Sequence, residues 1–141
     1  MITLKNIFCT LCMAITVAAC TKREQQPQKN EAGLWTLTEV STGWGGIKKG
    51  AALGYKQTLL LNPDSTFQVK RTNGTTTTTE DGIYHFKQHA TGTAIEFSYS
   101  FPIPGGVIER VPELIKKGTD TLFYDQSALD GIRVVYAKNA Q

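Results

Sequence analysis

Residues 93–100 have the sequence TAIEFSYS, in which apolar and polar side chains alternate. Because successive side chains of a β-strand point to opposite faces, Ile95, Phe97 and Tyr99 share one face of this segment. The same period of two recurs along most of the chain after residue 33, whereas helical periodicity is nearly absent. The pattern therefore predicts an all-β domain whose sheet has one buried face and one solvated face.

Turn signals divide this domain into about eight predicted strands, at the spacing typical of sandwiches and barrels. Asn62-Pro63-Asp64-Ser65, Asn73-Gly74 and Asp81-Gly82 are predicted turns, and the threonines of residues 75–79 are predicted to form a short exposed strand between two of them. Consecutive hairpins predict an antiparallel up-and-down meander that closes into a small barrel without unpaired edges. An open β-sandwich is the alternative. The predicted strands are residues 34–40, 56–61, 66–72, 75–80, 83–88, 93–100, 120–125 and 132–138.

The predicted core consists of the apolar side chains at alternating positions of these strands. Its members are Trp35, Leu37, Leu59, Leu61, Phe67, Val69, Tyr84, Phe86, Ile95, Phe97, Tyr99, Ile132, Val134 and Tyr136.

Two stretches do not alternate. Residues 41–54 contain five glycines and are predicted to form a long loop, a feature that is usually functional when it exceeds about 12 residues. Trp44, Lys48 and Lys49 are therefore the candidate contacts for a ligand or a protein partner, with packing of Trp44 onto the core as the alternative. Residues 101–118 contain three prolines, and their apolar residues fit either one helical turn or an edge strand.

The N-terminal segment predicts where the protein is located. Lys5 precedes an apolar run over residues 7–19, which has the length of a signal-peptide core and is shorter than the ~20 residues of a transmembrane helix. The run ends in Val17-Ala18-Ala19-Cys20, which resembles the lipobox of bacterial lipoproteins. This resemblance implies that residues 1–19 are removed as a signal peptide and that Cys20 carries a diacylglycerol and an N-acyl chain such as palmitate.

This processing would leave a mature chain without free thiols, because Cys9 and Cys12 lie in the removed segment. Residues 20–32 contain no large apolar side chain and are predicted to be the lipidated cysteine and a flexible tether to a β domain over residues 33–141. In the sorting rule of many Gram-negative lipoproteins, Thr21 in place of aspartate indicates the outer membrane, so we expect a lipid-anchored protein of the cell envelope. The sequence does not indicate whether the domain faces the periplasm or the cell surface.

Composition and motifs argue against nucleic-acid binding and catalysis. Fifteen Lys and Arg stand against twelve Asp and Glu, and the basic residues occur in scattered pairs instead of one stripe. The sequence has no Gly-x-Ser-x-Gly, P-loop or His-Glu-x-x-His motif. On a strand, His85 and His89 would lie about 13 Å apart, too far to bind one metal ion. We therefore expect a non-enzymatic protein without a cofactor or metal.

Gly33-Leu34-Trp35 at the start of the first strand resembles the Gly-x-Trp signature of lipocalins. The order of the later motifs, with Asp120-Thr121-Leu122, Asp130-Gly131 and Tyr136 at the end, is similar to short lipocalin-like lipoproteins of bacterial envelopes. The resemblance implies a barrel, a small apolar ligand in some members, and a basic side chain that packs across Trp35. Arg133 and Lys138 are both candidates for that side chain.

Three functions remain open at this point. A lipid-anchored module that binds a small apolar ligand predicts a cavity, and the family resemblance favours it. A structural or protein-interaction lipoprotein of the envelope predicts a core filled with side chains and an exposed apolar patch. An inhibitor that presents the loop of residues 41–54 to a hydrolase would need only a rigid scaffold. The sequence does not indicate an oligomeric state.

Overall fold

The computed structural model describes residues 31–43, 45–90, 92–100 and 110–140. Within these ranges the chain forms two short 3-10 helices, Gly50–Leu53 and Ser127–Leu129, and nine strands. The strands are β1 (Gly33–Thr42), β2 (Gly46–Lys49), β3 (Lys56–Leu61), β4 (Thr66–Asn73), β5 (Thr76–His89), β6 (Gly92–Tyr99), β7 (Glu113–Lys117), β8 (Thr121–Asp125) and β9 (Arg133–Lys138). The predicted signal peptide, Cys20 and tether residues 20–30 lie outside the described residues.

Eight strands, β1 and β3 to β9, form an antiparallel up-and-down barrel. Each pairs with the next along the chain, and β9 returns to pair with β1 from Trp35 to Ser41. The predicted barrel is confirmed, and the open sandwich is wrong because the β1–β9 pairing leaves no free edge. Strand β2 is an addition to the barrel: it folds back onto residues 39–42 of β1, beyond the residues 33–36 that pair with β3.

A β-bulge in β1 sets which of its side chains face the interior. Leu37 pairs with Tyr136 and Glu39 pairs with Val135, so Thr38 is an extra residue opposite β9, and its hydroxyl donates a hydrogen bond to the Val135 carbonyl at 3.1 Å. One extra residue shifts the alternation by one position. As a result Leu37 and Val40 are both buried, although side chains three positions apart on a regular strand point to opposite faces.

Two of the three predicted turns are confirmed. Residues 62–65 connect β3 to β4, and the Asp64 carboxylate accepts hydrogen bonds from the Thr66 amide at 3.0 Å and the Thr66 hydroxyl at 2.7 Å. These bonds favour the ionised carboxylate and lower the pKa of Asp64. Asn73-Gly74 turns β4 into β5, with Gly74 at a φ of 58° that favours glycine.

The predicted turn at Asp81-Gly82 is wrong, because β5 continues straight through it. The two predicted strands at 75–80 and 83–88 are thus one strand, whose first half pairs with β4 and whose second half pairs with β6. Gly82 is needed for close packing within the barrel and does not form a turn. A Cβ there would lie 2.1 Å from the Ser98 carbonyl oxygen and 2.8 Å from the ring of Phe67.

The two irregular stretches contain more regular structure than predicted. Residues 41–54 are not one long loop, since they include β2 and the first 3-10 helix. In the second stretch, residues 113–117 form neither a helical turn nor an edge strand: β7 pairs with β6 on one side and with β8 on the other. Residues 101–109 lie outside the described residues.

The predicted core is confirmed, with four of its members only partly buried. Phe86, Phe97, Tyr99 and Ile132 pack against the core but keep some exposure. The Phe67 ring makes edge-on contacts with Phe97 and Tyr99 at centroid distances of 4.9 and 5.0 Å. Side chains fill much of the barrel interior. The largest of the fully buried ones are Trp35, Tyr84, Phe67, Leu59, Leu61, Ile95, Leu114, Leu122, Gln57 and Val134.

Candidate functional site

The two ends of the barrel differ in how they are built. We call the end at the start of β1 the base, defined by Glu31, Trp35, Lys116 and Lys138. We call the opposite end the mouth. The mouth is formed by the β1–β2 turn, the first 3-10 helix, the β4–β5 turn and the connection between β8 and β9.

The base is tied together by contacts to Trp35 and Glu31. The indole Nε1 donates a hydrogen bond to the Glu31 carbonyl at 3.2 Å, and the Glu31 carboxylate, in a residue only 3% exposed, forms an ion pair with Lys116. Lys138 Nζ lies 5.4 Å from the Trp35 ring centroid, within cation–π range. Of the two basic residues that the sequence suggested for this contact, the structure therefore selects Lys138, whereas Arg133 lies near Glu39 and Asp125.

The mouth contains a small pocket of about 110 Å³ between the β1–β2 hairpin and the first 3-10 helix. Its apolar wall is formed by Val40, Leu53 and Tyr55, and Lys48 stands at its rim. The guanidinium carbon of Arg71 lies 3.6 Å from the Tyr55 ring centroid, so a second cation borders the aromatic wall. The pocket thus presents apolar surface beside positive charge.

The structure places the predicted site residues in different environments. Lys48 lines the mouth pocket. Lys49, its neighbour on β2, is exposed and forms an ion pair with Glu39 at 2.8 Å instead of lining the pocket. Trp44 and Cys20 lie outside the described residues, so the roles predicted for them stay predictions.

Polar side chains that the sequence analysis did not single out face the barrel interior near the mouth. Gln57 is fully buried; its Nε2 donates a hydrogen bond to the Tyr136 hydroxyl at 2.6 Å, and its Oε1 has no partner among the described residues. The sequence contains a signal for this polar patch. Gln57 is at an alternating position with Leu59 and Leu61, and Arg71 is at an alternating position with Phe67 and Val69. A polar residue at an inward-facing position marks a polar patch inside a barrel.

Glu80, at an inward-facing position of β5, forms a salt bridge with Arg110, whose Nε lies 2.7 Å from the carboxylate. The hydrogen bond from this guanidinium to Glu80 raises the pKa of Arg110. The guanidinium also lies 4.7 Å from the ring of Tyr99. Burial, and secondarily the Glu80 charge, raise the pKa of Tyr99 to about 12. The mouth therefore combines two guanidinium groups with two tyrosine rings.

His85 contacts a carboxylate on the outer surface of the barrel. Its Nε2 lies 2.7 Å from Glu96 Oε2, and Lys87 contacts the other carboxylate oxygen. The hydrogen bond from Lys87, followed by that from His85, lowers the pKa of Glu96. In the described part of the chain, no three His, Cys, Asp or Glu side chains group closely enough to hold a metal ion.

Among the residues described above, no helix has the length and apolar character needed to cross a membrane. In comparisons with known proteins, the chain matches no protein-family model, no curated protein and no solved structure.

Proposed function

We propose that this chain is a non-enzymatic lipoprotein of the bacterial cell envelope, held to the outer membrane by lipid on Cys20, with a lipocalin-like barrel that binds a small apolar ligand. Three features support the lipocalin-like assignment: the closed antiparallel barrel, the Gly-x-Trp sequence at its first strand, and the basic side chain of Lys138 across Trp35. The lipobox sequence at residues 17–20 supports the anchor.

The mouth pocket is the observation that carries the ligand-binding proposal. Its volume of about 110 Å³ corresponds to only three or four waters at ~30 Å³ each, far below the ~300–1,000 Å³ of sites for drug-sized molecules. It would therefore take the end of an apolar chain and not the whole ligand. Lys48 at the rim favours a ligand with an acidic group close to its apolar part, such as a fatty acid.

The experiment is a calorimetric titration of the delipidated protein with a medium-chain fatty acid. We expect binding that Leu53→Ser weakens, because it removes an apolar wall, and that Lys48→Gln weakens less, because it removes a rim charge. Lys117→Gln is the matched control, since Lys117 is exposed on β7, far from the pocket. Equal affinities for the Leu53, Lys48 and Lys117 variants, or no binding at all, would reject the pocket as the ligand site.

The anchor is tested separately in cells. Metabolic labelling with a fatty acid is expected to mark the wild-type protein in the outer-membrane fraction, and Cys20→Ser is expected to abolish the label. Label that persists in the Cys20→Ser variant would contradict the lipid anchor. This result does not depend on whether the pocket binds a ligand.

A protein-interaction role is the second candidate, supported by two exposed apolar residues at the mouth. Ile47 on β2 is 59% exposed, and Leu129 in the β8–β9 connection is 82% exposed. The two segments adjoin, because a Cβ at Gly43 would lie 2.8 Å from the Asp130 carbonyl oxygen. Cross-linking to envelope proteins that disappears in an Ile47→Ser/Leu129→Ser variant would favour this role. Unchanged cross-linking would argue against a contact through these two residues.

A further inference from the structure

A second and larger concavity lies on the outside of the barrel, across β1, β3 and β4. Its volume is about 370 Å³, more than three times that of the mouth pocket. The side chains around it occupy the alternating positions that point away from the core, between the buried Leu59, Leu61, Phe67 and Val69. The lining residues are Leu34, Lys56, Thr58, Leu60, Gln68, Lys70 and Thr72, which we call the outer groove.

The outer groove combines apolar surface with positive charge. Leu34 is 41% exposed and is the register partner of Leu60, so the two leucines stand side by side at one end. Lys70 is opposite Thr58 in the β3–β4 ladder, which makes Lys56 its diagonal neighbour, a relation that places such side chains roughly 7–8 Å apart. Because lysine side chains are long and flexible, the ammonium groups of such neighbours can both reach the oxygens of one phosphate.

The two lysines dominate the charge of the groove. Asp81 on β5 is the diagonal neighbour of Lys70 and lies at the edge of the groove, where its carboxylate accepts a hydrogen bond from the Ser100 hydroxyl at 2.9 Å. The lining of the groove includes no carboxylate, and in the described parts of the chain neither Lys56 nor Lys70 forms a salt bridge. By contrast, Lys49, Lys87 and Lys116 are each paired with a glutamate. The outer groove is therefore complementary to an anion that also carries apolar groups.

The position of the groove in the chain brings it close to the predicted anchor. Leu34 follows Cys20 by only fourteen residues, a separation that even a fully extended chain spans in at most about 50 Å. The start of β1, where this segment joins the barrel, is also the end of the groove that carries the two leucines. A lipid on Cys20 would thus keep the groove within about 50 Å of the leaflet in which that lipid is inserted, with the leucine end nearest along the chain.

We propose that the outer groove binds the headgroup of an anionic phospholipid in the leaflet that holds the anchor. Lys56 and Lys70 contact the phosphate, and Leu34 and Leu60 lie against the glycerol and the first acyl carbons. The assignment to that leaflet rests on the proposed lipid on Cys20. The contact orients the barrel with the β1–β3–β4 face toward the membrane and leaves the mouth accessible from the solution.

The test is vesicle co-sedimentation of residues 21–141, which lack both the leader and the lipid. This chain keeps every strand pairing of the barrel, because all of them lie between residues 33 and 138. We expect it to bind vesicles that contain phosphatidylglycerol and not vesicles of phosphatidylcholine alone. A lysine near an anionic surface changes affinity by about fivefold, so the Lys56→Gln/Lys70→Gln variant should bind roughly 25-fold more weakly.

The matched control is Lys87→Gln/Lys117→Gln, which removes the same charge from outward positions on β5 and β7. Thermal melts of both variants establish that the barrel remains folded. Equal losses in the two double variants would overturn the proposal, because they would show that only net charge matters, and so would the absence of binding to phosphatidylglycerol vesicles. Because this assay omits the acyl chain, its failure leaves the labelling result for Cys20 unaffected, and a failure of labelling leaves the vesicle result unaffected.

Discussion

The base and the mouth use the same kinds of side chain for different purposes. At the base, Trp35 and Glu31 are almost fully buried, and the cations Lys116 and Lys138 close over them. At the mouth, the guanidinium groups of Arg71 and Arg110 rest on tyrosine rings that remain partly exposed.

Contacts at the base are expected to contribute more to stability than contacts at the mouth, because they join segments that are far apart in the sequence. Residues 31–35 lie at the start of the described chain, Lys116 lies in β7, and Lys138 lies at the end of β9. Their contacts therefore join distant segments at the seam where the barrel closes, and breaking them exposes core. At the mouth, the cation–π contacts of Arg71 with Tyr55 and of Arg110 with Tyr99 join segments that are nearer in the sequence, and both rings are only partly buried, so these side chains are freer to serve binding. The comparison predicts that equivalent substitutions cost more stability at the base.

The largest expected effect comes from removing the indole at the base. Trp35→Ala is expected to lower the free energy of unfolding by about 3–5 kcal/mol, because it empties a fully buried site and removes the contact with Lys138. At the mouth, Tyr55→Ala is expected to cost less, about 1–2 kcal/mol, since the ring packs at the edge of the core, is partly exposed, and contacts Arg71. Urea unfolding measures both. Similar losses would contradict the distinction between the two ends.

The two glycines of the β4–β5 hairpin provide the next comparison. Gly82→Ala is expected to cost about 3 kcal/mol, because its Cβ would overlap the Ser98 carbonyl and the Phe67 ring, which the barrel cannot move without repacking. Gly74→Ala in the turn at the mouth meets open space and should cost about 1 kcal/mol, through its positive φ alone. Equal urea midpoints for the two variants would show that Phe67 and its neighbours move easily to accommodate a Cβ at residue 82.

The ion pair at the base is expected to contribute less than the core but more than surface charges. Lys116→Met leaves the Glu31 carboxylate buried without its partner, and we expect a loss of about 2–3 kcal/mol, reduced from the ~3–5 of a fully buried pair because Lys116 is partly exposed. Lys117→Met, one residue further along β7, should change stability by at most ~0.5 kcal/mol. Adding Glu31→Gln to the Lys116 variant should recover part of the loss. No recovery would mean that Lys116 acts through packing alone.

Periodicity predicted the strands well wherever the apolar residues alternate between the buried and the exposed face of the sheet. It failed at Gly82, where the close approach of Phe67 requires a glycine. The resulting Asp-Gly sequence is identical to the one that marks a hairpin turn. Periodicity failed again at β2, where Gly46-Ile47-Lys48-Lys49 is exposed along its whole length and so carries no burial pattern.

The candidate site was predicted only in part for a related reason. The glycine-rich segment includes Lys48, which lines the mouth pocket, whereas the binding role predicted for Lys48 stays a prediction. Leu53, Val40 and Tyr55 come from different elements, and only the fold brings them together. The outer groove likewise depends on the register of three strands, which pairs Leu34 with Leu60 and places Lys56 diagonal to Lys70. Pattern analysis of one strand at a time contains no information on such pairs.

The smallest expected effect concerns Tyr99, whose ring links the core to the mouth. Its pKa is about 12 in the folded protein and about 10 when unfolded. A raised pKa means that the folded state keeps the phenol proton longer, so this contribution to stability is complete below pH 10 and is lost as the pH rises toward 12. At pH 11 the loss is about 1 kcal/mol, since one pKa unit corresponds to 1.36 kcal/mol.

Tyr99→Phe has no phenol to ionise and isolates this contribution. Its free energy of unfolding should fall less steeply between pH 10 and pH 11 than that of the wild type, in urea titrations run at each pH. In a titration followed by tyrosinate absorbance, the variant should have one tyrosine fewer than the wild type among those that ionise at the highest pH. If the two proteins lose stability in parallel, Tyr99 is solvated in the folded state, and the boundary between buried core and open mouth lies below it, nearer to Phe67.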